Sequence, residues 1–433
     1  MSANSIYMKK EYKKETQCVQ AGWTPKNGEP RVLPIYQSTT FKYDNSEEMA
    51  QLFDLEKDGY FYTRLQNPTN DYVAAKIAAL EGGVGAMLTS SGQAANFFAT
   101  FNICETGSHI VSTNAIYGGT FNLFAVTMKK MGIDVTFVNQ NATDEELEKA
   151  FRPNTRCVFS ETISNPGCEV LDIERFARIA HKHGVPLIVD NTFATPVNCR
   201  PIEWGADIVT HSTTKYMDGH AGTVGGVIVD SGNFDWDAHA ELFPGLTTPD
   251  ESYHGLTYTK RFGRAAYITK ATAQLMRDLG SIQAPQNAYY LNLGLETLHL
   301  RMKRHCENAQ TVAEWLQNND RVAWVNYCGL PGNAYHELSK KYLPNGSCGV
   351  IAFGLKGSRE DAIRFMDNLK LICIVTHVAD ARSCVLHPAS HTHRQLSDQQ
   401  LREAGIAPDL IRLSVGIENV EDIIADIDQA LHC

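Results

Sequence analysis

Short apolar runs alternate with segments of helical periodicity through the middle of the chain. GAMLTSS at 85–91 precedes QAANFFATFNIC, and RCVFSET at 156–162 precedes ERFARIAHKHG; HIVSTN, VTFVNQ, VPLIVDNT, ADIVTHS and VGGVIVD share the same strand-like composition. Repeated β–α units predict a mostly parallel sheet with helices on both faces. The runs at 185–190 and 206–211 are apolar through most of their length instead of alternating, the pattern of strands buried on both faces. In such sheets the functional groups belong just past the carboxyl ends of the strands.

From Gln286 to about Asn318, Leu291, Leu295, Leu298, Met302, Ala309, Val312 and Leu316 keep one apolar stripe, and Pro285 suits a first turn. This spacing predicts one long helix that bridges two domains. Beyond it VAWVNY, GVIAFGLKG, LKLICIV and IRLSVGIE read as strands, with helices near 359–369 and 420–432. The expected class is α/β: an N-terminal arm at 1–65, a large, mostly parallel sheet domain at 66–285, and a smaller C-terminal α/β domain at 286–433 that includes the linking helix.

Length and composition agree with this picture. A chain of 433 residues exceeds one ordinary core, and 43% hydrophobic with 20% charged residues is a soluble globular composition. The net charge of −10, with Lys and Arg scattered among acidic residues, leaves no basic stripe for a nucleic-acid partner. The N-terminal charges have no apolar segment behind them, and no stretch approaches the ~18 apolar residues of a membrane span. Neither a secretory signal nor a membrane anchor is expected. The eleven cysteines are an odd number without a C-x-x-C pair, and Cys157 and Cys373 lie in apolar strand-like runs. This points to reduced, cytoplasmic usage.

The candidate chemistry gathers at the ends of the strand-like runs. In HSTTKYMDGH at 211–220, Lys215 sits directly behind hydroxyls that follow a buried run; a lone lysine there would ordinarily point to water. The two commonest nucleotide loops, G-x-x-x-x-G-K-[ST] and G-x-G-x-x-G, are absent. An anion can still be held in TSSGQAAN, where Ser91, Gly92 and Gln93 lie at a strand-to-helix turn whose N–H groups and dipole favour negative charge. The hydroxyls of Ser212 and Thr214 would add donors. Asp190 closes VPLIVD, where a carboxylate is costly without a positive partner. It is either a cap for the segment after Asn191 or a partner for a protonated pyridine nitrogen. On the second reading Lys215 carries the aldehyde of the same ring, and one cofactor accounts for the carboxylate, the lysine and the anion cup. The pairs His181/His183 and His391/His393 have no cysteine or carboxylate cluster of ligand spacing beside them, so no metal is expected.

YTRLQNPT (62–69), SSGQAA, AIYGGT, ETISNPG, VDNTFATP, HSTTKYMDGH, HPASHTH and IRLSVGIE stand together in order. Through them the chain resembles, over nearly its whole length, the pyridoxal-phosphate enzymes of cysteine and methionine metabolism. YGGTFNLF and FPGLTTPDESYHGL at 243–256 are similar to the sulfhydrylase branch of that family. The resemblance implies an aspartate-aminotransferase-type (fold type I) enzyme with pyridoxal 5'-phosphate bound to Lys215, Asp190 on the ring nitrogen and Tyr117 stacked on the ring. It implies that Ser91, Gly92, Gln93, Ser212 and Thr214 hold the phosphate, with Tyr62 and Arg64 reaching in from a neighbouring subunit. The active unit would then be a dimer, usually paired into a tetramer. Asn165 and Arg412 would hold the substrate carboxylate, a task that suits a planar guanidinium.

The implied activity is replacement of the acetate of O-acetylhomoserine by sulfide or methanethiol. Cystathionine γ-synthase and methionine γ-lyase share nearly all these residues. A catalytically silent assembly partner is the alternative of another class, and the presence of Lys215, Asp190, Tyr117 and Arg412 together argues against it. Three departures stand out. His377-Val378-Ala379-Asp380 replaces the N-[IVL]-G-D common in relatives, so the carboxylate pocket is expected to differ. Gln93 replaces a methionine at a place where the backbone N–H does the binding, and Gly119 stands where the lyases carry a cysteine.

Overall fold

The computed structural model describes residues 12–391, 399 and 407–433. The apolar runs between 85 and 230 become a seven-stranded sheet: β1 (Gly85–Thr89), β2 (His109–Thr113), β3 (Asp134–Val138), β4 (Thr155–Glu161), β5 (Leu187–Asp190), β6 (Ile208–His211) and β7 (Gly226–Asp230). Its order is β1-β7-β6-β5-β4-β2-β3. Only β7 runs antiparallel to its neighbours β1 and β6; the other pairs are parallel. Every residue of β2, β5, β6 and β7 is buried, which is why those runs carry Val and Ile without a polar alternation. The strand order reverses between β2 and β4, and a crevice opens there at the carboxyl ends.

A second, mostly antiparallel sheet is built from β8 (Val322–Asn326), β9 (Val350–Leu355), β10 (Cys373–Ile374), β11 (Cys384–Leu386) and β12 (Ile411–Ser414), in the order β10-β11-β12-β9-β8. Alternation along β9 serves two masters. Val350 and Ala352 join the core of the large sheet, whereas Ile351 and Phe353 join a separate core with Ala309, Val312, Leu316 and Ile427. The helices at 359–367 and 420–431 pack on this second sheet, near the expected positions.

Two sequence expectations are corrected. The single helix of 286–318 is two helices, Pro285–Glu296 and Leu298–Gln317, broken at Thr297. The apolar stripe runs unbroken across the joint, with Leu295, Leu298 and Met302 all buried. The break comes from tertiary contacts: Arg301 donates from Nη2 to Gly294 O at 2.6 Å and from Nη1 to Tyr216 O at 2.6 Å. A carbonyl taken by a guanidinium no longer needs the next helical N–H. The second half still serves both cores, through Leu298 and Met302 on one side and Val312 and Leu316 on the other.

The run LKLICIV yields only the short edge strand β10, on which Cys373 is exposed, whereas Cys157 is buried. All eleven cysteines are free thiols. No helix among the described residues is long and apolar enough to cross a membrane.

Candidate active site

Ser91, Gly92, Gln93, Tyr117, Asn165, Asp190, Ser212, Thr214, Lys215 and Arg412 line one cavity of ≈ 270 Å³. It lies at the carboxyl ends of β4, β5 and β6, where the loops after β1 and β2 and the edge of the second sheet meet them. Ser91 caps the helix Gly92–Phe101 by accepting from Ala94 N at 3.1 Å, so the N–H groups of Gly92 and Gln93 stay free of the helix ladder. A Cβ on Gly92 would lie 2.5 Å from Ser212 Cβ, so the two halves of the anion cup touch only because residue 92 is glycine. Thr214 Oγ1 exchanges hydrogen bonds with Gly225, donating to its carbonyl at 3.1 Å and accepting from its N–H at 3.0 Å.

Gln93 does more than present its N–H. Its Nε2 donates to Gly119 O at 3.0 Å, fastening the cup to the turn that carries Tyr117. Tyr117 is half exposed at the cavity mouth. Asp190 is buried, and its carboxylate is held from both sides: Asn96 Nδ2 donates to Oδ2 at 3.1 Å, and Thr192 donates to Oδ1 from its N–H at 3.0 Å and from its hydroxyl. Thr210 Oγ1 in turn fixes Asn96 Oδ1 at 2.6 Å. Asp190 lines the cavity and closes a local turn onto Thr192; the helix Thr195–Asn198 that follows has no side-chain cap, so Asp190 does not cap it.

Sequence reasoning missed Glu161. It ends β4 in register with Asp190 on β5, so two carboxylates stand side by side at adjacent strand ends. Oε1 accepts from Tyr117 N at 2.7 Å and Oε2 from Asn165 N at 3.2 Å. One side chain therefore sets the backbone of both Tyr117 and Asn165. Burial, and then the charge of Asp190, push its carboxyl well above the ordinary range. The signal was available: in RCVFSET the acid closes a buried run as Asp190 closes VPLIVD.

Lys215 is largely buried, and this burial, followed by the charge of Arg412, pulls its amine down to about 8. Roughly a tenth of it is unprotonated at pH 7. Its Nζ lies 3.5 Å from His377 Nδ1. Arg412 on β12 donates from Nη1 to Asn165 Oδ1 at 3.2 Å and from Nη2 to His377 O at 3.2 Å, while its buried Nε has no hydrogen-bond partner. Arg412 lines the cavity, and its planar guanidinium is a fork that suits a carboxylate. A group with an aldehyde, a basic ring nitrogen and a phosphate would find an amine, a carboxylate and an anion cup here.

Tyr62 and Arg64 stand apart. The Arg64 guanidinium lies 5.3 Å over the Tyr62 ring and donates to Arg277 O, and both residues line a different cavity of ≈ 460 Å³ with Tyr253 and Arg277. Within one chain they do not reach the Lys215 cavity. His181 bonds Asp207 at 2.7 Å and His183 stacks on Phe151; His391 accepts from His387 N, and His393 lies outside the described residues. Among the described residues no three ligating side chains cluster.

A lysine behind a hydroxyl loop, a strand-end aspartate and a helix N-terminus in one α/β crevice define the class of pyridoxal-phosphate enzymes. The family model for Cys/Met metabolism PLP-dependent enzymes matches residues 15–432, and the chain belongs to that family. It is 46% identical over 411 residues to the homocysteine/cysteine synthase of Saccharomyces cerevisiae, covering 92% of each chain. It is 42% identical to the O-acetyl-L-homoserine sulfhydrylase of Leptospira meyeri, covering 98% of each. A Campylobacter jejuni crystal structure assigned as an O-acetylhomoserine (thiol)-lyase, with a pyridoxyl-lysine monophosphate, superposes with a TM-score of 0.94 at 37% identity over 98% of this chain and 100% of that one. The architecture is that of fold type I.

Proposed function

We propose that this protein is an O-acetyl-L-homoserine sulfhydrylase: acetate leaves Cγ of O-acetylhomoserine and sulfide takes its place, giving homocysteine, or methionine when methanethiol is the donor. The observation that carries the reading is the single cavity shared by Lys215, Asp190, Tyr117, Asn165 and Arg412. Pyridoxal phosphate, when bound, supplies the electron sink that makes protons at Cα and Cβ removable. Lys215 binds its aldehyde and, once freed by the substrate amine, takes the Cα proton; an amine near 8 suits that task. Asp190 holds the ring nitrogen, Tyr117 covers the ring, and Ser91, Gly92, Gln93, Ser212 and Thr214 hold the phosphate. Arg412 grips the substrate carboxylate, and Asn165 orients that guanidinium. Ile163, Phe193 and Val378 keep the cavity dry while the thiol enters.

Gly119 favours the transferase over methionine γ-lyase. A Cβ there would lie 2.5 Å from the Tyr117 ring, so this tyrosine position admits no cysteine at 119. Product analysis tests the proposal. O-acetylhomoserine with sulfide should give mainly homocysteine and acetate, and without sulfide only slow 2-oxobutanoate and ammonia. Methionine alone yielding 2-oxobutanoate equally fast would replace the transferase with a lyase.

The same reading takes the protein as a cytoplasmic homotetramer, a dimer of dimers, with Tyr62 and Arg64 completing the phosphate site of a neighbouring subunit. Arg64→Ala and Lys215→Ala should each be inactive alone. Randomly reassembled dimers of the two should recover roughly a quarter of the wild-type sites, since half are hybrids with one intact site. Hybrids that form without activity would rule out the shared site.

A further inference from the structure

We propose that His377 is a positioning residue that takes up the Lys215 Nζ proton on its Nδ1 and returns it, so that the lysine can act repeatedly as a base. The inference rests on the role given to Lys215 above. Nδ1 lies 3.5 Å from Nζ. The other ring nitrogen, Nε2, faces Asp380 Oδ2 at 3.6 Å and has no hydrogen bond. Asp380 is buried and fixed in turn, accepting from Arg382 N at 2.6 Å. A carboxylate beside Nε2 favours the proton on that nitrogen, which leaves the Nδ1 lone pair toward the amine. The ring is held in this line by its own backbone, whose carbonyl accepts from Arg412 Nη2 at 3.2 Å and from Cys384 Sγ at 3.4 Å.

The charged groups facing the ring are Lys215, Arg412, Asp380 and Asp218. Burial, and then the Lys215 charge, hold His377 below its ordinary range, so the ring is neutral and receptive at neutral pH. In the transfer an N–H bond breaks at Nζ and one forms at Nδ1. The amine gains the lone pair, and the imidazolium stands against Asp380 and Asp218. The step is uphill from the lysine, so the imidazolium is transient. His377 is a side chain that both bonds and titrates.

Two measurements test the relay. The wild-type kcat should fall with decreasing pH as His377 protonates, below the ordinary ~6.5. His377→Asn keeps an acceptor near the Nδ1 position but cannot titrate; it should lower kcat about tenfold near neutrality and lose that acidic limb. An unchanged limb in His377→Asn would overturn the relay in favour of a purely structural role. The second measurement uses the apoenzyme, with histidine C2-proton exchange read by mass spectrometry. The His377 midpoint should rise by about one unit in Lys215→Met, or in Lys215→Gln should the first variant fold poorly, because the neighbouring charge is gone. An unmoved midpoint overturns the relay. Borohydride reduction of the holoenzyme separates the two levels: a pyridoxyl group on another lysine overturns the Lys215 reading and the relay with it, whereas one on Lys215 with an unmoved midpoint removes the relay alone.

Discussion

On the large-sheet side of the cavity, both oxygens of Glu161 and both of Asp190 accept hydrogen bonds. On the small-sheet side, Arg412 Nε and His377 Nε2 have none. A buried charge with every bond made keeps one shape and suits a group that stays. A buried donor without a partner costs about 1–3 kcal/mol, so this wall is the less settled of the two. On the proposed reading, the resident cofactor lies against the large sheet and the exchanging substrate against the small one.

The largest test of this contrast breaks the resident side. Lys215→Ala should lower turnover by about 10³-fold or more and abolish the borohydride-trapped pyridoxyl adduct, as read by mass spectrometry. Next comes the exchanging side. Arg412→Lys, which cannot offer the planar fork, should cost about 10²-fold in kcat/KM while cofactor content stays at the wild-type level. Loss of cofactor in step with activity would erase the division between the two walls.

A smaller effect should come from Glu161→Gln, which turns one acceptor into a donor facing a backbone N–H and loosens Tyr117 and Asn165 together. A loss of about tenfold in kcat/KM is expected. It also carries a pH signature. The folded carboxyl keeps its proton to a higher pH than the ordinary glutamate value of 4.5, chiefly through burial. Above that value the folded state binds more protons than the unfolded chain, so wild-type stability falls as pH climbs from 4.5 to the raised folded value. The glutamine variant should lack this fall in a series of Tm measurements. The smallest effect is at Ala379, whose φ of 67° is a conformation that disfavours a side chain. Ala379→Gly should add about 1 kcal/mol to stability in denaturant titrations.

The motifs could reach which residues share the cavity, because strands buried on both faces leave an unbroken apolar run whose polar end marks the crevice. VPLIVD ending in Asp190 and ADIVTH leading to Lys215 are legible for that reason. Glu161 closes a buried run in the same way, but its partners were not legible: only pairing with β5 brings it beside Asp190, and only folding turns the Tyr117 and Asn165 N–H groups toward it. The break at Thr297 was hidden because Arg301 competes for the Gly294 carbonyl from outside the helical pattern. Tyr62 and Arg64 lie away from the Lys215 cavity within one chain, and one chain's periodicity does not address contacts between chains.

Arg301 has a mechanical meaning. Its guanidinium holds the carbonyls of Tyr216, at 2.6 Å, and Met217, at 3.4 Å, directly after Lys215, and at the same time the end of the first half-helix. The second half-helix, which carries Arg301, continues into the core of the small sheet. The joint is thus a stiff linkage and not a free hinge: a tilt of the small sheet would be felt at the backbone directly after Lys215.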